Sequence, residues 1–275
     1  MSEALSLAMP KTVGEVVNDF SMMVATANGS GSQTSNLALV RALFRMGIPV
    51  SGKNLFPSNI QGLPTWYTIR ASSSGHTARR DTVEILVAMN APTFAEDLAD
   101  LAPGGACFYA DDLRLPMPRE DVVFYPMPIK ELVKQANPPK ELKEYIANMG
   151  YVGIVAQLLG IELEAVRGAL DTHFGGRPKP IEMNMGMINR AAEWAEQNLE
   201  KRDPFRVAPD HLTEGKILIE GNTAGALGAI YGGVSFASWY PITPASSFAD
   251  AVREYLPKLR SDGQDGKNPF AVIQA

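Results

Sequence analysis

The residues best placed to do chemistry lie in the stretch Trp239-Tyr240-Pro241-Ile242-Thr243-Pro244-Ala245-Ser246-Ser247. Its pattern predicts a short strand that stops at Pro241 and a helix that opens at Thr243. Threonine is a favoured N-cap, and a proline at the first helical position has a suitable φ and no N–H to lose. A helix start presents unpaired N–H groups and a partial positive charge. A hydroxyl in that position can meet a small carboxylate. The segment therefore reads as an anion-facing turn with one hydroxyl donor, and helix capping alone is the competing reading of Thr243.

Several elements must hold this turn in place. Lys216 to Glu220 is expected as a strand, with Asn222 capping a helix from Thr223 to Tyr231. That helix is rich in Ala and Gly, so another helix or a cofactor packs close to it. Ser235 to Trp239 reads as the next strand, the helix opening at Thr243 runs to Tyr255, and Phe270 to Ala275 opens a further strand.

Near the other end, Phe20 to Thr26 reads as a buried strand. It leads through Asn28-Gly29-Ser30-Gly31-Ser32-Gln33 into a helix from Thr34 to Met46. Leu37, Val40, Leu43 and Phe44 recur there at helical spacing, and Gly47 stands where a C′ glycine would end the helix. A loop of this kind can cradle a phosphate on its amides. Gly29 and Gly31 are thus candidate cofactor contacts. They form only half of a dinucleotide fingerprint, with no third glycine and no acidic ribose partner, so a plain strand-to-helix turn stays open.

Between these ends the pattern alternates. Strands are expected at Ile48–Val50, Thr65–Arg70, Val83–Met89, Ala106–Tyr109 and Val122–Tyr125. Helices are expected at Thr93–Leu101, Ile129–Ala136, Glu141–Met149, Tyr151–Leu159, Glu162–Phe174 and Ile181–Glu200. Residues 53–64 form a polar, Gly- and Pro-punctuated loop of a length that is usually functional or interfacial. Met183, Met185 and Met187 read as core or interface filler rather than a cofactor box. The alternation implies an α/β fold with a largely parallel sheet over residues 1–200, after a loose lead-in at 1–18. A linker at 201–213 and the first part of a second doubly wound α/β domain from 214 onward complete the expected layout.

Bulk properties narrow the function. The formal charge is −5, and no basic cluster long enough to track a phosphate backbone is present, which excludes a nucleic-acid surface. No run of 18 apolar residues exists, so no membrane span is indicated, and no signal-like segment precedes Val13. A cytoplasmic location is expected. The single cysteine, Cys107, cannot hold a four-thiolate cluster, and His76, His173 and His211 are too scattered to suggest a metal site.

Gly221-Asn222-Thr223-Ala224 and Ala226-Leu227-Gly228-Ala229, followed by Tyr240-Pro241-Ile242-Thr243-Pro244, resemble the start of the α subunit of 2-oxoacid:ferredoxin oxidoreductases. The Gly-loop, its helix and the Pro57-Ser58-Asn59-Ile60-Gln61-Gly62 loop resemble the γ domain of the same family, with Ser30 and Ser32 where paired glycines are usual. The resemblance implies oxidative decarboxylation of a 2-oxoacid on thiamine diphosphate, with electrons passed through iron–sulfur clusters to ferredoxin and the acyl group to coenzyme A. Of the 2-oxoacids, 2-oxoglutarate is the first choice, with pyruvate and branched 2-oxoacids open.

By the same resemblance, Thr243 lies against the substrate carboxylate, with Tyr240, Pro241, Ile242 and Pro244 around it. Thiamine diphosphate, Mg²⁺ and the iron–sulfur clusters fall mainly to a partner β subunit. In the family, the strand matching Ala271–Ala275 is soon followed by a Glu that bonds the cofactor's aminopyrimidine, so a subunit truncated at its C-terminus is expected. The alternatives are a non-catalytic assembly module of such a complex and a nucleotide-binding dehydrogenase built on Gly29-Ser30-Gly31.

Overall fold

The computed structural model describes residues 14–57, 60–115, 117, 119–260 and 269–275. The chain divides into two compact units, Met1–Gly215 and Lys216–Ala275. The start of the expected lead-in, Ser58 and Asn59 of the polar loop, and residues 261–268 lie outside the described residues.

In the first unit, β1 (Val16–Val17) precedes β2 (Asp19–Ala27), α1 (Ser32–Arg45), β3 (Val50–Leu55) and β4 (Pro64–Ser72). Then come β5 (Val83–Ala88), α2 (Phe94–Ala99), β6 (Leu101–Ala110), β7 (Val123–Met127) and α3 (Ile129–Ala136). α4 (Lys143–Leu159), α5 (Leu163–Phe174), α6 (Pro178–Asn198) and β8 (Phe205–Arg206) close the unit. Among the described residues the main sheet has the order β3-β4-β2-β5-β6-β7. β2, β5, β6 and β7 are mutually parallel, and β4 runs against both of its neighbours. The expected mostly parallel α/β sheet is therefore present.

Alternation along β2 explains its two buried faces. Phe20, Met22 and Val24 enter the large core made with α1, α4 and α6. Ala25 turns to the other face and joins Leu86, Ala88 and Cys107 beneath Phe94 and Leu98 of α2. Met185 and Met187 are buried in the large core, with Met183 packed against it, as filler methionines should be.

Three expectations need correction. The segments 141–149 and 151–159 form one continuous helix, α4, after a short 3₁₀ turn at Lys140–Leu142. Gly150 and Gly153 do not break it, because they provide close approach. A Cβ on Gly153 would sit 2.3 Å from the Ile188 carbonyl of α6, and one on Gly150 would meet Ile129 and Met187 at 2.9 Å.

Residues 201–213 are not a free linker but a strap on the first unit. β8 pairs with β1, and buried Asp203 accepts from the Tyr125 hydroxyl at 2.8 Å and from Lys201 Nζ at 2.7 Å. Farther along, the Asp210 and Leu212 amides donate to the Met46 and Gly47 carbonyls, capping the end of α1. Gly47 has φ +85°, and a Cβ there would overlap the Asp210 carbonyl at 1.7 Å. Glycine is thus required both for the helix stop and for the strap.

The second unit contains α7 (Gly221–Tyr231), β9 (Phe236–Trp239), α8 (Ala245–Leu259) and β10 (Ala271–Gln274). β9 and β10 pair in parallel. α7 and α8 share a small core of Ala226, Ile230, Ala251, Val252 and Leu256. The strand expected at 216–220 does not form: those residues are exposed and pair with no strand among the described residues. Its apolar run, Ile217-Leu218-Ile219, lacks a neighbouring strand among the described residues to complete the hydrogen-bond ladder.

Candidate functional site

The sequence-predicted residues fall in two places, one in each unit. In the first unit, β2 ends at Ala27 and the chain turns through Asn28-Gly29-Ser30-Gly31 into α1. Gly29 and Gly31 have φ of +83° and +80°. Side chains of the same chain fill the space a Cβ would need. At Gly29 it would lie 2.9 Å from Gln61 Cγ, and at Gly31 it would lie 2.2 Å from Tyr145 Cδ1. Backbone bonds tie the loop to the neighbouring one, from the Asn28 amide to the Leu63 carbonyl and from the Gly62 amide to the Asn28 carbonyl. Asn148 Nδ2 donates to the Ser30 carbonyl at 2.8 Å.

Beneath this loop lies a polar network that the sequence reading missed. Thr26 Oγ1 and Ser32 Oγ are 2.9 Å apart, Ser35 Oγ meets the Tyr151 hydroxyl at 2.6 Å, and that hydroxyl donates to Asn36 Oδ1. Burial pushes the Tyr151 phenol well above its ordinary range, so it stays a neutral donor. On the opposite face of the sheet, Asn90 Nδ2 donates to the Thr26 carbonyl, and Thr93 Oγ1 donates to Asp97 Oδ2 at 2.7 Å. Trp66 Nε1 donates to Asp97 Oδ1 at 2.7 Å. Burial raises the Asp97 carboxyl above the usual carboxylate range, against the lowering effect of those two donors. Burial likewise pushes the Cys107 thiol up to about 12, with Asp97 adding to the shift. The only signal for this network was its placement. Asn90 directly follows a strand, and Tyr151 interrupts an apolar helical run; both are positions where a polar group must find partners.

In the second unit, Tyr240, Pro241, Ile242, Thr243 and Pro244 form the turn from β9 into α8, and all five are exposed. The helix begins at Ala245, not at Thr243. Pro244 occupies the cap position, the Thr243–Pro244 peptide is cis, and no side chain caps the helix. The expected Thr243 cap is therefore absent, and Pro244 is not the first helical residue. Glu220 holds the cap position of α7, so Asn222 does not cap that helix either. Its side chain turns across to α8 instead. Nδ2 donates to the Pro244 carbonyl at 2.8 Å and to Ser247 Oγ at 2.7 Å.

This bond sets the starts of α7 and α8 side by side and brings the two quoted motifs together. The N-termini of the two helices are thus neighbours, and a helix start carries a partial positive charge. One small residue of α7 is accounted for by its neighbour helix: a Cβ on Gly225 would lie 3.1 Å from the Phe248 ring, whereas one on Gly221 or Gly228 would meet nothing within 4 Å.

Comparison with known proteins identifies relatives of the chain. The model of the family described as pyruvate ferredoxin/flavodoxin oxidoreductase matches residues 21–194. The chain is 27% identical to subunit alpha of 2-oxoacid:ferredoxin oxidoreductase 1 from Aeropyrum pernix, over 93% of this chain and 46% of that protein. The equivalent subunit from Sulfurisphaera tokodaii is 23% identical over the same shares. The chain thus spans about half the length of these curated relatives.

Among solved structures, a 2-oxoglutarate:ferredoxin oxidoreductase from Magnetococcus marinus, with 2-oxoglutarate, coenzyme A and succinyl-CoA bound, matches 94% of this chain and 43% of its own. That match has a TM-score of 0.79 and 30% identity. A keto/oxoacid ferredoxin oxidoreductase γ subunit from Geobacter sulfurreducens shares the fold at 18% identity and a TM-score of 0.52. It matches 65% of this chain and 99% of its own. With the family model covering most of its length, this chain belongs to the pyruvate ferredoxin/flavodoxin oxidoreductase family.

Proposed function

We propose that this chain is part of the α subunit of a thiamine-diphosphate-dependent 2-oxoacid:ferredoxin oxidoreductase. Such an enzyme converts a 2-oxoacid and coenzyme A to acyl-CoA and CO₂, with electrons leaving to ferredoxin. The observation that carries the proposal is the pairing, through Asn222, of two helix starts around an exposed Thr243. A small carboxylate is the ligand such a place suits. Thr243 would donate to the substrate carboxylate, and Tyr240, Pro241, Ile242 and Pro244 would form the wall around it. 2-Oxoglutarate is the first substrate to test, because the Magnetococcus marinus relative carries it.

We assign residues 1–200 to a γ-type domain, a reading supported by the near-complete match of a separate γ subunit to this fold. Residues 214–275 would belong to the α, pyrimidine-type domain. Gly29 and Gly31 are assigned to shaping their loop rather than to a cofactor contact, because Gln61 and Tyr145 already fill the space beside them.

The residues of this chain do not fit an iron–sulfur cluster: its one cysteine is buried with a thiol pushed up to about 12. Among the described residues no group of three or more His, Cys, Asp and Glu side chains is placed to hold a metal ion, and the Mg²⁺ of the diphosphate goes with the cofactor. Both groups are assigned to a partner β subunit. Thiamine diphosphate, when bound, supplies the carbanion chemistry at the 2-oxo carbon. The contribution of this chain is orientation of the substrate carboxylate. Exposed Ile217, Tyr231, Phe236 and Ile273 on the second unit favour assembly with further protein.

No helix among the described residues is long and apolar enough to cross a membrane, and we place the complex in the cytoplasm. The test is an assay of purified assembled enzyme containing this chain and its β partner. Viologen reduction should require both a 2-oxoacid and coenzyme A. Reduction that is indifferent to either one refutes the reading.

A further inference from the structure

The face of the main sheet away from the large core is only partly covered. α2 packs over Ala25, Leu86, Ala88 and Cys107. Toward β3 and β4 the same face carries polar and cationic side chains. Arg70 of β4 is paired with Ser51 of β3 and Ser21 of β2, while Thr68 is paired with Lys53 and Met23. Paired residues project to one side, and steps of two along a strand keep to that side, so Lys53 and Arg70 are diagonal neighbours. The segment after β4 brings Arg79 and Arg80 over them, and together they enclose a cavity of about 340 Å³.

Four cations, Lys53, Arg70, Arg79 and Arg80, line this cavity, and no carboxylate does. This concentration of positive charge stands in a chain whose formal charge is −5. The neighbouring acids pair with three of these cations. Arg70 pairs with Asp19, Arg80 Nη2 meets Glu84 Oε1 at 2.7 Å, and Arg79 reaches Asp81 only at 4.0 Å. Lys53 makes no ion pair among the described residues.

Arg70 is the informative member. It is 5% exposed, and its guanidinium donates to the Phe20 carbonyl at 3.1 Å and to the Ala71 carbonyl. Its Nε is buried and has no acceptor. A buried donor left unmet is destabilising, and a charged one more so. The side chain nonetheless lines the cavity and adds its charge there. An oxyanion in the cavity would face the Lys53 ammonium, the loosely paired Arg79 and the hydroxyls of Ser21 and Thr68.

We propose that this cavity binds a small phosphate-bearing anion through Lys53, Arg70 and Arg79. Guanidinium groups suit phosphate because they offer several donors in a fixed plane. No aromatic ring lines the cavity, so there is no stacking platform for a base. The volume exceeds what one phosphate needs and lies in the range of small-ligand pockets. The ligand class is therefore a phosphate alone, a diphosphate, or a short aliphatic phosphomonoester.

Calorimetric titration of the intact chain with inorganic phosphate, pyrophosphate and glycerol 3-phosphate at low salt tests this. The expected result is saturable binding of at least one of them, weakened about tenfold or more in the Lys53→Met, Arg79→Met double variant. Tighter binding of glycerol 3-phosphate than of phosphate would identify an organic phosphomonoester as the occupant, and the reverse a free phosphate. Both altered side chains are on exposed residues, so the fold should survive, and circular dichroism verifies it. The Arg70 Nε–H resonance should shift on titration of the unaltered chain. Absence of saturable binding by all three anions overturns the proposal, as does equal binding by the double variant.

Discussion

Asn222 and Ser247 are hydrogen-bonded across the second unit, Nδ2 to Oγ at 2.7 Å, and the same Nδ2 donates to the Pro244 carbonyl at 2.8 Å. One amide thus fixes the start of α7 against the start of α8. The turn at 240–244 is held by this contact and by the core of Ala226, Ile230 and Val252 behind it. Neither helix is capped by the side chain its sequence would suggest.

Asn222→Ala should release the start of α8. The bonds are solvent-exposed, so the loss of stability is small, about 0.5–1.5 kcal/mol. The sharper readout is hydrogen exchange at the Ser246 amide, which bonds the Ile242 carbonyl at 3.1 Å. Its exchange should speed up in the variant while amides of the first unit stay unchanged. Unaltered exchange at Ser246 would show that the turn is held by other contacts.

Gly31→Ala should be strongly destabilising for two separable reasons. The residue has φ +80°, a conformation costing an L-residue roughly 1–2 kcal/mol. The new methyl would also collide with Tyr145 at 2.2 Å, and overpacking typically costs roughly 1–3 kcal/mol. Adding Tyr145→Ala should recover only the second part. Urea unfolding of the single and double variants separates the two, and full recovery would mean that the backbone conformation carries no penalty.

Much of the sheet was legible in the sequence because its signals are local. Phe20 to Thr26 reads as a strand from composition alone, and Gly47 marks a helix end by the conformation it alone takes freely. What escaped depends on partners distant in sequence. The strap at 201–213 has the Pro and polar content of a linker, yet Asp203 is buried because Tyr125 and Lys201 meet it. Gly150 resembles a break within α4, and only the presence of Ile129 on α3 and Met187 on α6 shows why it is small. Asn222 looked like a cap because capping is the local option for Asn; the partner it uses is on α8. At the turn, the motif placed residues 240–244 between a strand and a helix, but the helix starts one residue later than expected, at Ala245 rather than Pro244.

Asp97 should make stability depend on pH in an unusual direction. Burial raises its folded-state pKa above the unfolded value, so the folded state holds the proton more tightly. Its contribution is full below the unfolded pKa and is lost as pH rises through the folded one. At pH 7 the buried charge therefore works against folding. Asp97→Asn keeps an acceptor for Trp66 Nε1 and removes the charge. The urea midpoint at pH 7 should rise, and the gain should shrink as the pH is lowered toward 4. A lower midpoint at pH 7 would show that the charge-assisted bonds from Thr93 and Trp66 outweigh desolvation.

The most direct test of the central claim is the KM of Thr243→Val in the assembled enzyme. The exposed hydroxyl caps no helix, so its removal should leave thermal stability within about 0.5 kcal/mol. Loss of a hydrogen bond to a charged carboxylate, on the order of 1.5–3 kcal/mol, should raise the 2-oxoacid KM roughly ten- to a hundredfold. Thr243→Ser should restore it, and the KM for coenzyme A should not move. Unchanged KM and kcat for the 2-oxoacid in Thr243→Val would contradict the assignment of this turn as the carboxylate site.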